Sequence, residues 1–412
     1  MRSSLSLAAL VGVAATGVLG APLLGLNVDV QETPLRPDGR YGGADLNLTR
    51  VLQQAVRLSE HSWEYGAATQ ALLEVLSPEL SVFSRDAFPD DRLPAPDAAT
   101  PALAYARRHI RTDNTTLVEG DGSAADPMSL GVAAVLLGQT QPSYRRAAQR
   151  QMQYMLTQVP RGPNGAMSMR DNYFETWADY MFMAPPTLAY YAVATRNASL
   201  LRDVVRDIGA QRAILRGNQT GDVAGLWTHI VGPRSQTLGL WTSGNGWAAL
   251  GMVRVLATIK HWQYSNLNLN AEAAELRTWL YDLFGGLRGA AKDPDNGLYR
   301  VYLAGGARGI DDGDNDEWKG DVAGSAALAA AAFRLAVLDR ANATDVLPWA
   351  LEMRDAVNKA VDPATGIGAP AVNPLDWFSK VPFTSGSPEG QAFIAMMGAA
   401  HADCVAAQVC DA

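Results

Sequence analysis

The chain has 412 residues, 48% hydrophobic and 18% charged, which gives enough apolar side chain to bury a large core. Its formal net charge is −8 and no basic tract interrupts it. That balance excludes nucleic acid and anionic membrane surfaces as natural partners, and an acidic ligand must be met by local groups rather than by a long-range field.

The chain opens with a basic Arg2, an apolar run from Leu5 to Leu19, and small residues before a cut expected after Gly20. Residues 1–20 therefore read as a secretory signal, leaving 21–412 as a single domain. The run is too short to span a bilayer comfortably, and no later stretch is a better candidate. Five Asn-x-Ser/Thr sequons, at Asn47, Asn114, Asn197, Asn218 and Asn342, fit a chain that is glycosylated on its way to an extracellular destination. The two cysteines, Cys404 and Cys410, lie near the C-terminus, where they form either a small disulfide pinning the tail or a free buried pair.

Apolar residues recurring at three- and four-residue spacing predict helices over 46–58, 64–77, 102–111, 128–139, 143–157 and 176–194, then over 198–215, 245–260, 271–289, 320–339, 344–360 and 388–400. The Pro- and Asp-rich segment from Phe88 to Pro101 is a connection between two of these, not a domain linker. A phrase recurs between later pairs: Gly162 to Met167, Gly221 to Trp227, Asp293 to Tyr299 and Asp362 to Gly368. Its marker glycines, Gly165, Gly225, Gly297 and Gly366, are separated by 60, 72 and 69 residues. A period that long is a helix pair plus a turn and a short strand, a unit that buries its apolar face only against neighbours. The fold class expected is all-α, an (α/α)6 toroid of six helical hairpins with short β-hairpin loops at one end. An open solenoid is the alternative, but the apolar stretch from Phe393 to Ala400 is not a polar capping repeat, which favours closure.

Loops carried on such a scaffold are where chemistry is expected. Asp179 stands in Phe174 to Pro186 among aromatics and methionines, an environment that would desolvate it and raise its pKa as a general acid requires. The competing reading is a helix-start aspartate facing solvent. Asp126 precedes Pro127 at the start of an apolar helix, so it is either an N-cap or a second carboxyl of the site. His229 follows Trp227 in a loop between polar and aromatic residues and can donate to a sugar hydroxyl or carboxylate. Trp227, Trp241 and Trp247 fall within 21 residues; indole faces stack on sugar rings, although core packing of one or two is equally natural. The acidic run Asp311 to Glu317 lacks a calcium loop's terminal glutamate and reads as a solvated loop. No zinc motif, nucleotide loop or serine elbow stands out, so no cofactor and no metal are expected.

Taken in order, these phrases resemble glycoside hydrolase families 88 and 105, the unsaturated glucuronyl and rhamnogalacturonyl hydrolases, from about Trp63 to Ala400. Trp63-Glu64-Tyr65-Gly66 is similar to an early Trp-containing helix of the family, and Asp126 to its first essential aspartate. Trp177 to Ala184 is similar to the segment that bears the general acid, and Gly225 to His229 to a loop with a substrate-contacting histidine. The stretches Asp321 to Ser325 and Gly386 to Phe393 resemble its later helix starts. The resemblance implies an oligosaccharide substrate ending in a C4=C5 unsaturated uronic acid. Asp179 would protonate C4, Asp126 would orient it, and His229 and Trp241, with Trp63, Trp177, Trp227 and Trp247, would hold the sugar. One position departs: Leu240 to Trp247 carries Ser243 where the family has an arginine, so a bidentate partner for the uronate is missing there. Arg170, Arg216 and Arg234 lie near enough in sequence to compensate. Two alternatives follow, an inverting glycosidase using Asp126 and Asp179 on saturated sugars and a carbohydrate-binding toroid without catalysis.

Overall fold

A computed structural model of the chain describes residues 46–217, 219–264, 268–313 and 315–411. The expected signal over 1–20 and the sequon asparagine Asn218 lie outside the described residues. Twelve α-helices are described, alternating between two layers. The outer six are α1 (Leu48–Leu58), α3 (Pro101–Ala106), α5 (Pro142–Thr157), α7 (Ala198–Leu215), α9 (Asn270–Gly286) and α11 (Leu347–Lys359). The inner six are α2 (Ser62–Leu76), α4 (Gly131–Leu137), α6 (Tyr180–Thr195), α8 (Thr242–His261), α10 (Val322–Leu338) and α12 (Pro388–Ala406), with a 3₁₀ turn over Asp126–Leu130 leading into α4. Each inner helix packs on the next, α2 reaching the second unit through the 3₁₀ turn before α4, and α12 returns to α2, so the ring closes as an (α/α)6 toroid.

Composition explains which helix goes where. In α5 the buried residues, Tyr144, Ala147, Ala148, Gln151, Met152 and Met155, form one stripe, as a helix with one covered face requires. From Val322 to Ala336 in α10, by contrast, every residue is buried, and a helix apolar all round belongs inside. Small residues let these inner helices approach: a Cβ on Gly251 of α8 would come within 1.9 Å of the Met181 carbonyl oxygen of α6, so only glycine fits there.

Most predicted boundaries hold to within a few residues; α12 runs six residues past the expected 400, and two other differences are informative. Residues 107–109 are turn rather than a continuation of α3. Thr176–Trp177 is a short strand β1, paired antiparallel with β2 (Ile230–Val231), so α6 starts only at Tyr180. Three of the four recurring phrases are closed by single antiparallel bridges, Arg161 to Met167, Lys292 to Tyr299 and Val361 to Gly368; the phrase at Gly221 opens instead with a 3₁₀ turn. Cys404 and Cys410 are joined in a disulfide. Among the described residues, no helix is long and apolar enough to cross a membrane.

Candidate active site

The N-termini of the inner helices gather at one end of the ring, and carboxylates mark most of them. Glu64 sits in the first turn of α2, where its Oε2 accepts from the backbone amides of Glu60 and His61. Asp126 opens the turn before α4, Asp179 precedes α6, Asp321 caps α10 through the amides of Ala323 and Gly324, and Glu389 lies in the first turn of α12. Negative groups are stabilised at helix N-termini by the unpaired amides and the helix dipole, which is why so many acids can be held this close. At α8 the pattern breaks: Ser243 stands there, and its hydroxyl donates to Asp321 Oδ2 at 2.7 Å. The residue at the family's arginine position is thus spent on a neighbouring cap.

A cavity of about 250 Å³ opens between these helix starts. Asp126, Asp179, His229, Trp63, Trp177, Trp241 and Trp247 all line it, although they span 185 residues of sequence. Trp227 does not. It is fully buried, and its backbone N–H and carbonyl are both held by the Asn245 side chain, at 2.9 Å each. The expectation that it contacts substrate is corrected: its indole packs into the core while its loop carries His229 two residues on.

Neither of the structural alternatives for the aspartates describes what they do. Asp179 occupies the N-cap position of α6 but makes no capping hydrogen bond, and its side chain turns to the cavity, 15% exposed. Asp126 is no N-cap either; it is the first residue of the 3₁₀ turn, and its own amide donates to Ser123 Oγ at 3.0 Å. Burial pushes the Asp126 carboxyl up to about 7, with the charge of Asp179 adding to the effect and the Ser123 hydroxyl opposing it.

His229 is placed by two strands of backbone, its amide donating to Gly239 O and its carbonyl accepting from Ala178 N, both at 2.9 Å. Its Nε2 lies 3.3 Å from Asp179 Oδ2 without an aligned hydrogen bond. The imidazole is walled by Trp241, Trp377 and Trp177, with ring centroids 4.2, 5.2 and 5.9 Å away. Several polar atoms around this cavity are buried without a hydrogen-bond partner: Asp179 Oδ2, both His229 nitrogens, Trp241 Nε1, Arg170 Nε and Glu389 Oε2. Each such atom costs about 1–3 kcal/mol, so their convergence on one cavity marks a place built for a polar ligand.

Trp377 and Glu389 on the cavity wall escape the sequence reading, and Arg170 is singled out there only in part. Trp377 comes from the loop before α12, where its indole donates to Thr237 Oγ1 at 3.2 Å. Its signal was an aromatic pair, Trp377-Phe378, in an otherwise irregular stretch. Glu389 looked like an ordinary helix-start acid after a proline. Arg170 was named only as one of three compensating arginines, and of these it alone lines the cavity. It is steered there by an antiparallel bridge to Ser123 and by donation from Nη2 to Asp121 O at 3.2 Å. Arg234 lies instead over the Tyr173 ring, 4.0 Å from its centroid, and Arg216 ends α7.

Residues 92–283 match the model of Glycosyl Hydrolase Family 88. The match spans under half of the chain and indicates a glycoside hydrolase similar to that family. The matched segment carries Asp126, Asp179, His229, Trp241 and Trp247, and stops before Glu389. Among solved structures the fold is similar to a possible member of family GH105 from Salmonella enterica serovar Paratyphi A, with TM-score 0.62 and 15% identity over 88% of this chain and 95% of that one. A possible GH105 member from Klebsiella pneumoniae gives 0.63 and 14% over 95% and 99%. An unsaturated glucuronyl hydrolase specific for heparin gives 0.59 and 10% over 89% and 98%. At such identities these structures establish the toroid and not the activity. No curated protein sequence matches this hydrolase significantly.

Proposed function

We propose that this hydrolase removes a terminal C4=C5 unsaturated uronic acid from oligosaccharides. One observation carries the reading: two carboxyls, one of them with its pKa raised to about 7, share a Trp-walled cavity with a histidine beside Asp179 and an arginine. The substrate's enol ether needs a proton at C4 and water at C5. Asp179, facing the cavity, gives the proton to C4, and water drawn to the resulting cation adds its oxygen at C5, returning a proton to the carboxyl. The hemiketal so formed opens, the bond to the aglycone breaks, and the aglycone leaves as an alcohol, so one water is consumed per turnover. Asp126, held near neutrality in its ionisation, keeps a proton within the pair when Asp179 has given its own away. Arg170 meets the uronate carboxylate in place of the absent arginine at Ser243, and the tryptophan faces hold the ring.

The test is incubation with a panel of lyase-digested pectins and glycosaminoglycans, following loss of the enol-ether ultraviolet absorbance. Decay of that absorbance with release of the reducing aglycone is the expected result. Hydrolysis of saturated oligosaccharides alone would replace the hydration scheme with an inverting mechanism on the same two aspartates.

We also propose that the protein is secreted and glycosylated. The asparagines of four sequons, Asn47, Asn114, Asn197 and Asn342, are exposed, and the Cys404–Cys410 disulfide suits an oxidising compartment. Endoglycosidase treatment of protein from a eukaryotic secretory host should lower its mass; an unchanged mass would refute glycosylation.

A further inference from the structure

Glu389 has no place in the scheme above, yet it faces the same cavity. Its residue is 2% exposed, and Oε2 is buried with no hydrogen-bond partner. The charged groups that act on it most strongly are acids: Glu64 from α2, Asp321 from α10 and Asp179 from the start of α6. Burial first, and then the repulsion of Glu64, pushes its carboxyl well above the usual range. A neutral carboxyl is the one form of this side chain that offers a donor, since an ionised carboxylate only accepts.

We infer that Glu389 is a substrate-binding acid, an uncharged carboxyl whose O–H donates a hydrogen bond to an acceptor oxygen of the bound uronic acid residue. The chemistry fits the ligand class. A charged Glu389 would repel a uronate in a cavity already holding two aspartates, whereas an O–H aimed at a carboxylate or ring-substituent oxygen makes a short, charge-assisted bond. It also explains why an acid with an unpartnered oxygen occupies a position where a leucine would be less costly to bury: the partner arrives with the sugar. The inference rests on the proposed hydrolase activity and adds to it the residue that lets an acidic pocket accept an acidic sugar.

The experiment compares wild type, Glu389→Gln and Glu389→Leu on an unsaturated uronyl disaccharide from lyase-digested pectin or glycosaminoglycan, with thermal melts on all three. Glutamine keeps a neutral donor of the same length, so Glu389→Gln should stay within about threefold of wild type in kcat/KM. Leucine removes the donor, so Glu389→Leu should raise KM about tenfold or more with a smaller change in kcat, a split that a purely structural role would not produce. Should Glu389→Leu fail to fold, Glu389→Gln decides alone. A folded Glu389→Gln with KM raised as far as tenfold would overturn the neutral-donor assignment while leaving the hydrolase reading intact. Wild-type protein that turns over no unsaturated disaccharide refutes both, and is told apart because the reference enzyme itself is then silent.

Discussion

Two sets of buried charges sit inside the same ring of helices and are treated in opposite ways. Towards the C-terminal ends of the inner helices, Arg334 of α10 pairs with Glu74 of α2 at 2.8 Å and with Asp403 of α12, while Arg254, within α8, donates to Gln70 Oε1 of α2 at 2.9 Å and to Phe182 O in the first turn of α6 at 3.2 Å. At the N-terminal end the cavity gathers Asp126, Asp179 and Glu389 with only Arg170 as a lining cation among the described residues. Paired charges tie neighbouring helices together and ask nothing of solvent or ligand. Unpaired acids are a standing cost, and proteins keep such costs where a ligand relieves them.

Substitutions at the two ends should therefore separate activity from stability. The largest effect expected is at the mouth: Asp179→Asn should lower kcat on the unsaturated disaccharide by about 10²–10⁴-fold with little change in melting, read by steady-state kinetics beside calorimetry. A variant that retains turnover would remove Asp179 from the mechanism. At the far end, Arg334→Leu strands Glu74 and Asp403 and should cost about 3–5 kcal/mol in denaturant unfolding while leaving kcat per folded molecule unchanged.

Asp126 sharpens the contrast because its ionisation works against the fold. The unfolded carboxyl releases its proton near 3.8, whereas the folded one holds it to about 7. Between those values the folded chain binds more protons than the unfolded, so this group's contribution falls as pH rises through the window and stays lost above it. Asp126→Asn should consequently gain on the order of 1–3 kcal/mol over wild type at pH 8 and nothing at pH 4, even as it loses turnover. Equal stabilities at pH 8 would show that the carboxyl is not held up by burial. The smallest effect is expected at Arg170: Lys in its place keeps the charge but not the fork, and should raise KM about tenfold for uronides and leave neutral glycosides unaffected.

Much of this was legible in the sequence. Helix positions follow from 3.6-residue periodicity, and the two layers follow from how much of each helix is apolar, as the contrast between α5 and α10 shows. Closure could be argued from the recurring phrase and the apolar last helix. The site was legible where chemistry leaves a local mark, as in the aromatic setting of Asp179 or the tryptophans near His229. It was not legible where a residue's role depends on which way it points. Trp227 and Trp241 lie in similar phrases and the Asn245 side chain holds the backbone of both, but the indole of the first lies in the core while the second reaches the cavity. Glu389 and Asp321 are both acids at helix starts; Asp321 caps its helix, and Glu389 keeps an oxygen free towards the pocket. Asp126 owes its raised pKa first to burial and then to the charge of Asp179, 53 positions away in sequence, and neither is revealed by a local pattern.

The seam where α12 returns to α2 carries a consequence for synthesis. Trp63 stands on one side of that seam and Glu389 on the other. A nascent chain that has emerged only as far as α10 has both aspartates and the histidine but lacks one wall of its binding site. The wall of the cavity is thus complete only once the twelfth helix has closed the ring.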